Sequence, residues 1–388
     1  TSIQLVGKVI STALGVAIVA LMTLQLGKEG FGMYSIANAY LQTFTLLLDL
    51  GLNVMLITLL GEHAGDEKYE RRCTSALFTL RITLALLVFG LSLLIAPFFP
   101  YNQTVQIAIV ALVGSYFFAV LNQTVNGVQQ RHLKTYATAA GEVLGRLVLF
   151  GGLLLAPILG FGLVEIVWIV TAGAIANFFL NFFVAKCYAS FAWNWDPEFW
   201  LMALKRSWPI GVSIAFNLIY YKADTLILSL VRNEAEVGIY SAAYRVLEIL
   251  ITVPFLYAGL VLPLLSQAWA KRDPKRFSML MNRSLQVMSL LILPIIAGTL
   301  VLGPKILTLV AGNEFVASGH VLRILIFAVG AIYLNTIFSH AIVAMDVQKR
   351  MIPFYAGVAM IALAAYILFI PTYGMWAAAC ITVASEIS

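Results

Sequence analysis

Charge is what this chain has least of. Only 11% of its 388 residues are Asp, Glu, Lys or Arg, against about a quarter in soluble domains, and that excludes a water-soluble globular fold. Cysteine is nearly absent. Cys73, Cys187 and Cys380 are scattered with no CxxC, so neither a disulfide framework nor a thiolate metal site is encoded. The four histidines, His63, His132, His320 and His340, are equally dispersed and read as isolated structural or surface residues rather than a catalytic or ligand cluster. No HExxH, DxD or GxxxxGK[ST] occurs. The glycine-rich GKEGFG of residues 27–32 lacks the order that cradles phosphates, and it reads as a turn. Long polar loops are also missing. The longest link on the side poor in Lys and Arg, 303–318, offers only Lys305 and Glu314. A membrane glycosyltransferase or polysaccharide polymerase needs acid-base or metal-binding groups in such a place. The chain therefore reads as a non-enzyme, without cofactor or metal.

Apolar sequence is what fills the space: 61% of residues, with a mean hydropathy of +0.94. A helical membrane span needs about 20 apolar residues. Eleven complete stretches qualify, at 3–24, 33–60, 74–97, 105–126, 136–158, 163–186, 208–231, 238–265, 278–302, 319–345 and 353–370, and a twelfth, 374–388, stops at the last residue. The alternation of a β-barrel is absent. The fold class is all-α, a polytopic membrane protein of twelve helices. The chain begins at Thr1 and stops within a span, so it reads as part of a longer one. No cleavage motif follows the first span, which is expected to be retained.

The basic residues set the topology. Links after even-numbered spans carry fourteen Lys and Arg, among them Arg71, Arg72, Arg131, Lys271, Arg272, Lys275 and Arg276, while links after odd-numbered spans carry only Lys28, Arg232 and Lys305. The positive-inside rule makes the even links, and the N-terminus, cytoplasmic. The net charge of +6 thus belongs to a membrane face and is no nucleic-acid footprint.

Charge inside a span is costly and usually faces protein or water. Seven cations lie there: Lys8, Arg81, Arg146, Lys222, Arg245, Arg283 and Arg323. Four anions lie clearly inside: Asp49, Glu142, Asp224 and Glu248. Several belong to polar stripes at helical spacing. One stripe is Ser213, Asn217, Tyr220 and Asp224; the next is Ser241, Arg245, Glu248 and Thr252. The second span carries Asn38, Gln42, Thr45, Asp49 and Asn53. Shorter series are Asn122, Asn126 and Gln129, then Asn177 and Asn181. Two readings stand for these stripes. They line an aqueous path, or they bond helix to helix. Glu142 and Arg146, at i,i+4, read as a self-neutralising pair. Lys8 can equally snorkel to the interface. Lys222 and Asp224 are two apart and point to nearly opposite sides of their helix.

The link SFAWNWDPEFWLMALKRSW, with Trp193, Trp195, Trp200 and Trp208 among charges, reads as an interfacial linker helix. It divides the chain into an N-terminal six-helix lobe, 1–188, a linker, 189–207, and a C-terminal six-helix lobe, 208–388. The halves share a motif at an offset of 206: Gly32-Met33-Tyr34-Ser35 and Gly238-Ile239-Tyr240-Ser241. Six spans return the chain to the same side, so these are parallel repeats, a transporter architecture with its site between the halves.

The runs LGKEGFGMYSIANAYLQTFTLLLDLGLN, YKADTLILSL, EVGIYSAAYRVLE and VLPLLSQ, followed by a basic link, resemble the polysaccharide transporters. These are Wzx-type lipid-linked oligosaccharide flippases of the multidrug/oligosaccharidyl-lipid/polysaccharide exporter superfamily. The resemblance covers nearly the whole chain. It implies two six-helix lobes forming a V-shaped cavity, twelve or fourteen spans in the full length, and a polyprenyl (undecaprenyl) pyrophosphate bearing a sugar repeat, such as an O-antigen unit, as cargo. It also implies a bacterial plasma membrane, a monomer and polysaccharide polymerases as partners. The residues agree with an anionic cargo, since guanidinium groups match phosphate oxygens. Arg81, Lys222 and Arg245, with Lys8, Arg283 and Arg323, are expected to hold the pyrophosphate, and Asn38, Asn217 and Tyr220 to meet sugars. Asp49, Asp224 and Glu248 either bind a coupling proton or sodium ion or only neutralise the cations. A peptidoglycan-precursor flippase and a multidrug exporter of the same superfamily are the alternatives; the latter predicts a net acidic cavity, which the seven-to-four count disfavours.

Overall fold

The computed structural model describes the chain apart from residues 1, 50, 64 and 133, and apart from the side chains of 2–6, 8, 9, 46, 49, 54, 135, 208–221 and 349. Among the described residues every regular element is helical. Contacts divide the chain into two compact units, Thr1–Lys222 and Ala223–Ser388.

The first unit starts with α1 (Ser2–Asp49). Gly27 interrupts it with φ 63° and ψ −177°, a backbone state that only glycine takes readily. The glycine-rich turn expected there is thus a bend inside one helical tract. Gly51, in the left-handed region, opens α2 (Leu52–Glu62). Asp66 then caps α3 (Glu67–Ile95), accepting from the amides of Lys68 and Tyr69, as an N-cap carboxylate does. Asn102 does the same for α4 (Gln103–Arg131). α5 (Thr135–Leu159) and α6 (Leu163–Lys186) complete the bundle. α4 packs on α6, α5 on α6, and α1 on both α4 and α5. Phe78, Phe178 and Phe199 sit in a core with Leu52, Leu56 and Val125.

The linker is only partly helical. Residues 190–196 form a strap without regular structure, and Pro197 starts α7 (Pro197–Val231). Proline suits a first helical position and not the interior, so Trp193 and Trp195 fall in the strap. The strap is tied to α3: Ser75 Oγ donates to Ser190 O (3.0 Å), Asn194 N to Thr79 Oγ1 (3.0 Å) and Trp200 Nε1 to Ala76 O (2.9 Å).

In the second unit Asn233 caps α8 (Glu234–Leu250). Then come α9 (Thr252–Ala270), α10 (Pro274–Ala311), α11 (Val316–Ala344), α12 (Gln348–Tyr373) and α13 (Met375–Ile387). α11 is the hub and touches α8, α9, α10 and α13. Among the described residues nine helical tracts are long and apolar enough to cross a membrane, and α13 is a shorter apolar helix. The expected count was twelve. The first two stretches share one tract across Gly27, and the seventh falls largely on residues whose side chains are outside the description.

Candidate functional site

Each unit contains a polar nest inside apolar helices. In the second unit the centre is Asp224, on the last turns of α7 and 1% exposed. Tyr240 Oη of α8 donates to Asp224 Oδ2. The Thr225 amide (2.5 Å) and its hydroxyl (3.2 Å) donate to Oδ1. Tyr366 of α12 and Thr382 of α13, joined to each other at 3.0 Å, adjoin Tyr240. Four helices thus converge on one buried carboxylate. Hydroxyl and amide donors hold its two oxygens. Lys222, two residues earlier, is half-buried at the end of the first unit.

The α8 stripe is present as spaced. Arg245 Nη1 lies 2.7 Å from Glu248 Oε2, with the two side chains 31% and 25% exposed. Thr252 Oγ1 donates to Glu248 O at 3.2 Å, across the break into α9. Arg283 and Arg323 are separate. Arg283 is exposed near the start of α10. Arg323, on α11, reaches Val301 O (3.3 Å) at the other end of α10 and His320 Nδ1 (3.4 Å). Eighteen residues of helix between 283 and 301 correspond to roughly 27 Å, so these two cations do not share one pyrophosphate.

In the first unit Arg81 is 1% exposed on α3. Its Nη1 donates to Val120 O of α4 (2.9 Å) and to Gln123 Oε1. The guanidinium is sunk in the wall between two helices. Asn38 is tied to α4 by Tyr116, whose hydroxyl donates to Asn38 Oδ1 at 2.8 Å. The Glu142–Arg146 pair closes at 3.0 Å and is pinned to α1, since Ser11 Oγ donates to Glu142 Oε1 (2.6 Å) and Arg146 Nη1 to Ser11 O (2.5 Å). The short amide series meet each other. Asn122 Nδ2 donates to Asn177 Oδ1 (3.3 Å), Gln129 Nε2 to Asn181 O (3.0 Å), and Thr138 Oγ1 to Gln129 Oε1 (2.6 Å). These stripes bond helix to helix. Lys8, Asp49, Asn217 and Tyr220 lie outside the described side chains.

Sequence spacing missed Tyr240, Tyr366 and Thr382, because a tyrosine in an apolar helix carries no periodic signal for a partner on another helix. It also missed Tyr116 and Thr138. Among the described residues no group of three His, Cys, Asp or Glu is placed to hold a metal.

Residues 1–269 match the family described as polysaccharide biosynthesis protein. The chain belongs to that family. Residues 209–370 also match the family described as MatE. A curated relative, "Probable flippase AglR" of Haloferax volcanii, is 23% identical over 99% of this chain and 80% of its own length. Among solved structures, "Lipid II flippase MurJ, inward closed conformation" superposes with a TM-score of 0.84 at 14% identity, covering 100% of this chain and 85% of that one. An inward-facing multidrug resistance MATE transporter gives 0.79 at 14% identity, covering 97% and 91%. The protein is a multi-pass membrane transporter of the multidrug/oligosaccharidyl-lipid/polysaccharide exporter superfamily, not an enzyme.

Proposed function

We propose that this transporter flips a polyprenyl-pyrophosphate-linked oligosaccharide from the cytoplasmic to the outer leaflet of a plasma membrane by alternating access, with its N-terminus cytoplasmic. The charge balance within the spans carries this reading. Glu142 with Arg146 and Glu248 with Arg245 are ion pairs. Beyond them, Arg81, Lys222 and Arg323 outnumber Asp224, the other described carboxylate well inside a span. A cationic interior attracts a diphosphate and repels a cationic drug. The polysaccharide family match and the flippase relative support the same cargo class. Arg245 and Lys222, both half-buried, are the pyrophosphate contacts in this reading. Arg81 supports the wall. Asp224 takes the coupling proton or sodium ion, with Asp49 and Glu248 as further carboxylates. The lipid tail stays in the bilayer, and polysaccharide polymerases receive the product.

The MatE match over 209–370 favours one alternative, export of a small organic cation. Native mass spectrometry separates the two. The detergent-purified protein is offered undecaprenyl pyrophosphate and a neutral polyprenol. The flippase binds the pyrophosphate selectively, and Arg245→Ala or Lys222→Ala weakens that binding at least about tenfold, as loss of a charge-assisted contact does. Equal binding of both lipids, unchanged by substitution, returns the exporter reading.

A further inference from the structure

The two units treat their surface cations differently. In the first unit, the arginines of the basic links have carboxylate partners. Arg71 pairs with Glu67 (3.7 Å), Arg72 with Asp196 (2.6 Å), Arg131 with Glu70 (3.9 Å), and Arg206 donates to Glu62 Oε2 (2.9 Å). In the second unit, the link between α9 and α10 carries Lys271, Arg272, Lys275 and Arg276, with Arg283 exposed two turns further on. Among the described residues none of these five forms a side-chain ion pair or hydrogen bond. The one acid in the link, Asp273, is committed to capping α10, its carboxylate accepting from Arg276 N at 3.0 Å.

This turn is rigid. Arg272 N donates to Trp269 O (2.9 Å) and Asp273 N to Ala268 O (3.0 Å), which is the paired closure of a helix that normally ends on glycine. Here the left-handed position, φ 52°, is held by Arg272. Beneath it Phe277, Leu280 and Met281 pack on Val261, Leu265 and Ala341. Beside it Trp269, 49% exposed, stands 5.6 Å from the Phe277 ring. Further along α10, Leu290 and Leu293 are 76% and 63% exposed, the mark of a lipid-facing helix. Cations next to a tryptophan at the end of a lipid-facing surface stand at headgroup depth.

We propose that the α9–α10 turn is a binding site for anionic phospholipid headgroups of the surrounding leaflet, their phosphates received by Lys271, Arg272, Lys275 and Arg276. The apolar face of α10 takes the acyl chains of the same lipids. Bulk phospholipid rather than the transported lipid is the occupant, because the patch runs into an exposed stripe of α10 that is apolar, Leu290 and Leu293, and offers nothing polar to a sugar. The basic link predicts that this is the cytoplasmic leaflet. Each such cation is worth about fivefold in affinity for an anionic surface.

The test is native mass spectrometry of the full chain with phosphatidylglycerol and phosphatidylcholine of identical chains. Wild type retains phosphatidylglycerol preferentially, and the preference falls as salt rises. The quadruple variant K271Q/R272Q/K275Q/R276Q lowers that preference by about tenfold or more. The control R71Q/R72Q, which removes paired cations from the first unit, changes it less than about twofold. Should the quadruple variant fail to fold, R272G/K275Q replaces it: glycine suits the left-handed position, so the turn is kept while two cations are lost, and the preference again drops severalfold. An unchanged preference in these variants overturns the proposal. So does an equal loss in the control, or displacement of phosphatidylglycerol by equimolar undecaprenyl pyrophosphate.

Discussion

Arg81 and Arg245 have the same side chain and opposite prospects. Arg81 is fully buried, and its guanidinium satisfies the Val120 carbonyl and the Gln123 amide oxygen. Arg81→Met leaves those acceptors without a donor, at a cost of about 2–3 kcal/mol. The expected result is a lower melting temperature in detergent with pyrophosphate-lipid affinity retained by the folded fraction; an unchanged melting temperature would show that the wall does not depend on it. Arg245 is a third exposed and pairs within its own helix. Such pairs contribute about 0–1 kcal/mol, so Arg245→Ala should melt near wild type while losing ligand. A third residue-scale case lies outside the spans. The Arg206 hydrogen bond holds the Glu62 carboxyl below its ordinary 4.5. A carboxylate with a lowered folded-state value adds stability that is present above the unfolded value and lost as pH falls through the folded one. The acid limb of a pH–melting profile should therefore flatten below about pH 4.5 in Glu62→Gln. An identical limb in the variant would remove the pair from the account.

At the scale of elements, a clamp on one turn had no signal in the spacing. Arg232 Nη2 donates to Pro371 O (2.9 Å) and Thr372 O (2.8 Å) at the end of α12, and Glu236 Oε1 accepts the Met375 amide (2.8 Å) at the start of α13. A cation sits on a helix C-terminus and an anion on the next N-terminus, the arrangement that helix dipoles favour. Gly374 lies between them with φ 59°, and a Cβ there would stand 1.9 Å from Glu236 Oε1. Gly374→Ala should destabilise the protein by more than about 1 kcal/mol, from backbone strain alone, measured as a drop in melting temperature that Glu236→Ala partly relieves; a neutral substitution would mean that the turn re-forms without the clamp. The sequence placed Arg232 in a link and could say no more, because the carbonyls it caps are 139 and 140 residues away. What spacing did reveal is whichever face a single helix dictates, as in the Arg245–Glu248 and Glu142–Arg146 pairs; it read 33–60 as one span, which the structure breaks at Gly51, a left-handed residue ahead of α2. Two pairs of junctions fall at or next to the offset of 206 expected from the sequence motif. Gly27, which bends α1, and Asn233, which caps α8, stand 206 residues apart, and the capping residues Asp66 and Asp273 stand 207 apart. One pair keeps its residue type, aspartate, and the other exchanges glycine for asparagine.

At the scale of the molecule, the question is what a buried carboxylate does in a chain that disfavours anions. Composition and charge spacing made the fold class legible, since 61% apolar residues in span-length runs permit little else. They also brought out Asp224, but not the Tyr240 hydroxyl bound to it or the Tyr366–Thr382 bridge beside it. Those come from three other helices, and no periodicity within one helix carries them. If Asp224 only balanced nearby cations, neutralising it would alter substrate affinity and leave the rate at saturation alone. If it carries the coupling ion, Asp224→Asn keeps an acceptor for Tyr240, preserves the fold and the lipid site, and stops the cycle. We expect pyrophosphate-lipid binding within about threefold of wild type and a flipping rate in proteoliposomes lowered by at least about tenfold, the pattern of a residue whose contribution lies in turnover and not in ground-state binding. The dependence of the rate on an imposed proton or sodium gradient should vanish with it. A variant that flips at the wild-type rate with the same gradient response would move the coupling role away from Asp224 and leave this nest as a hydrogen-bonded joint between α7, α8, α12 and α13.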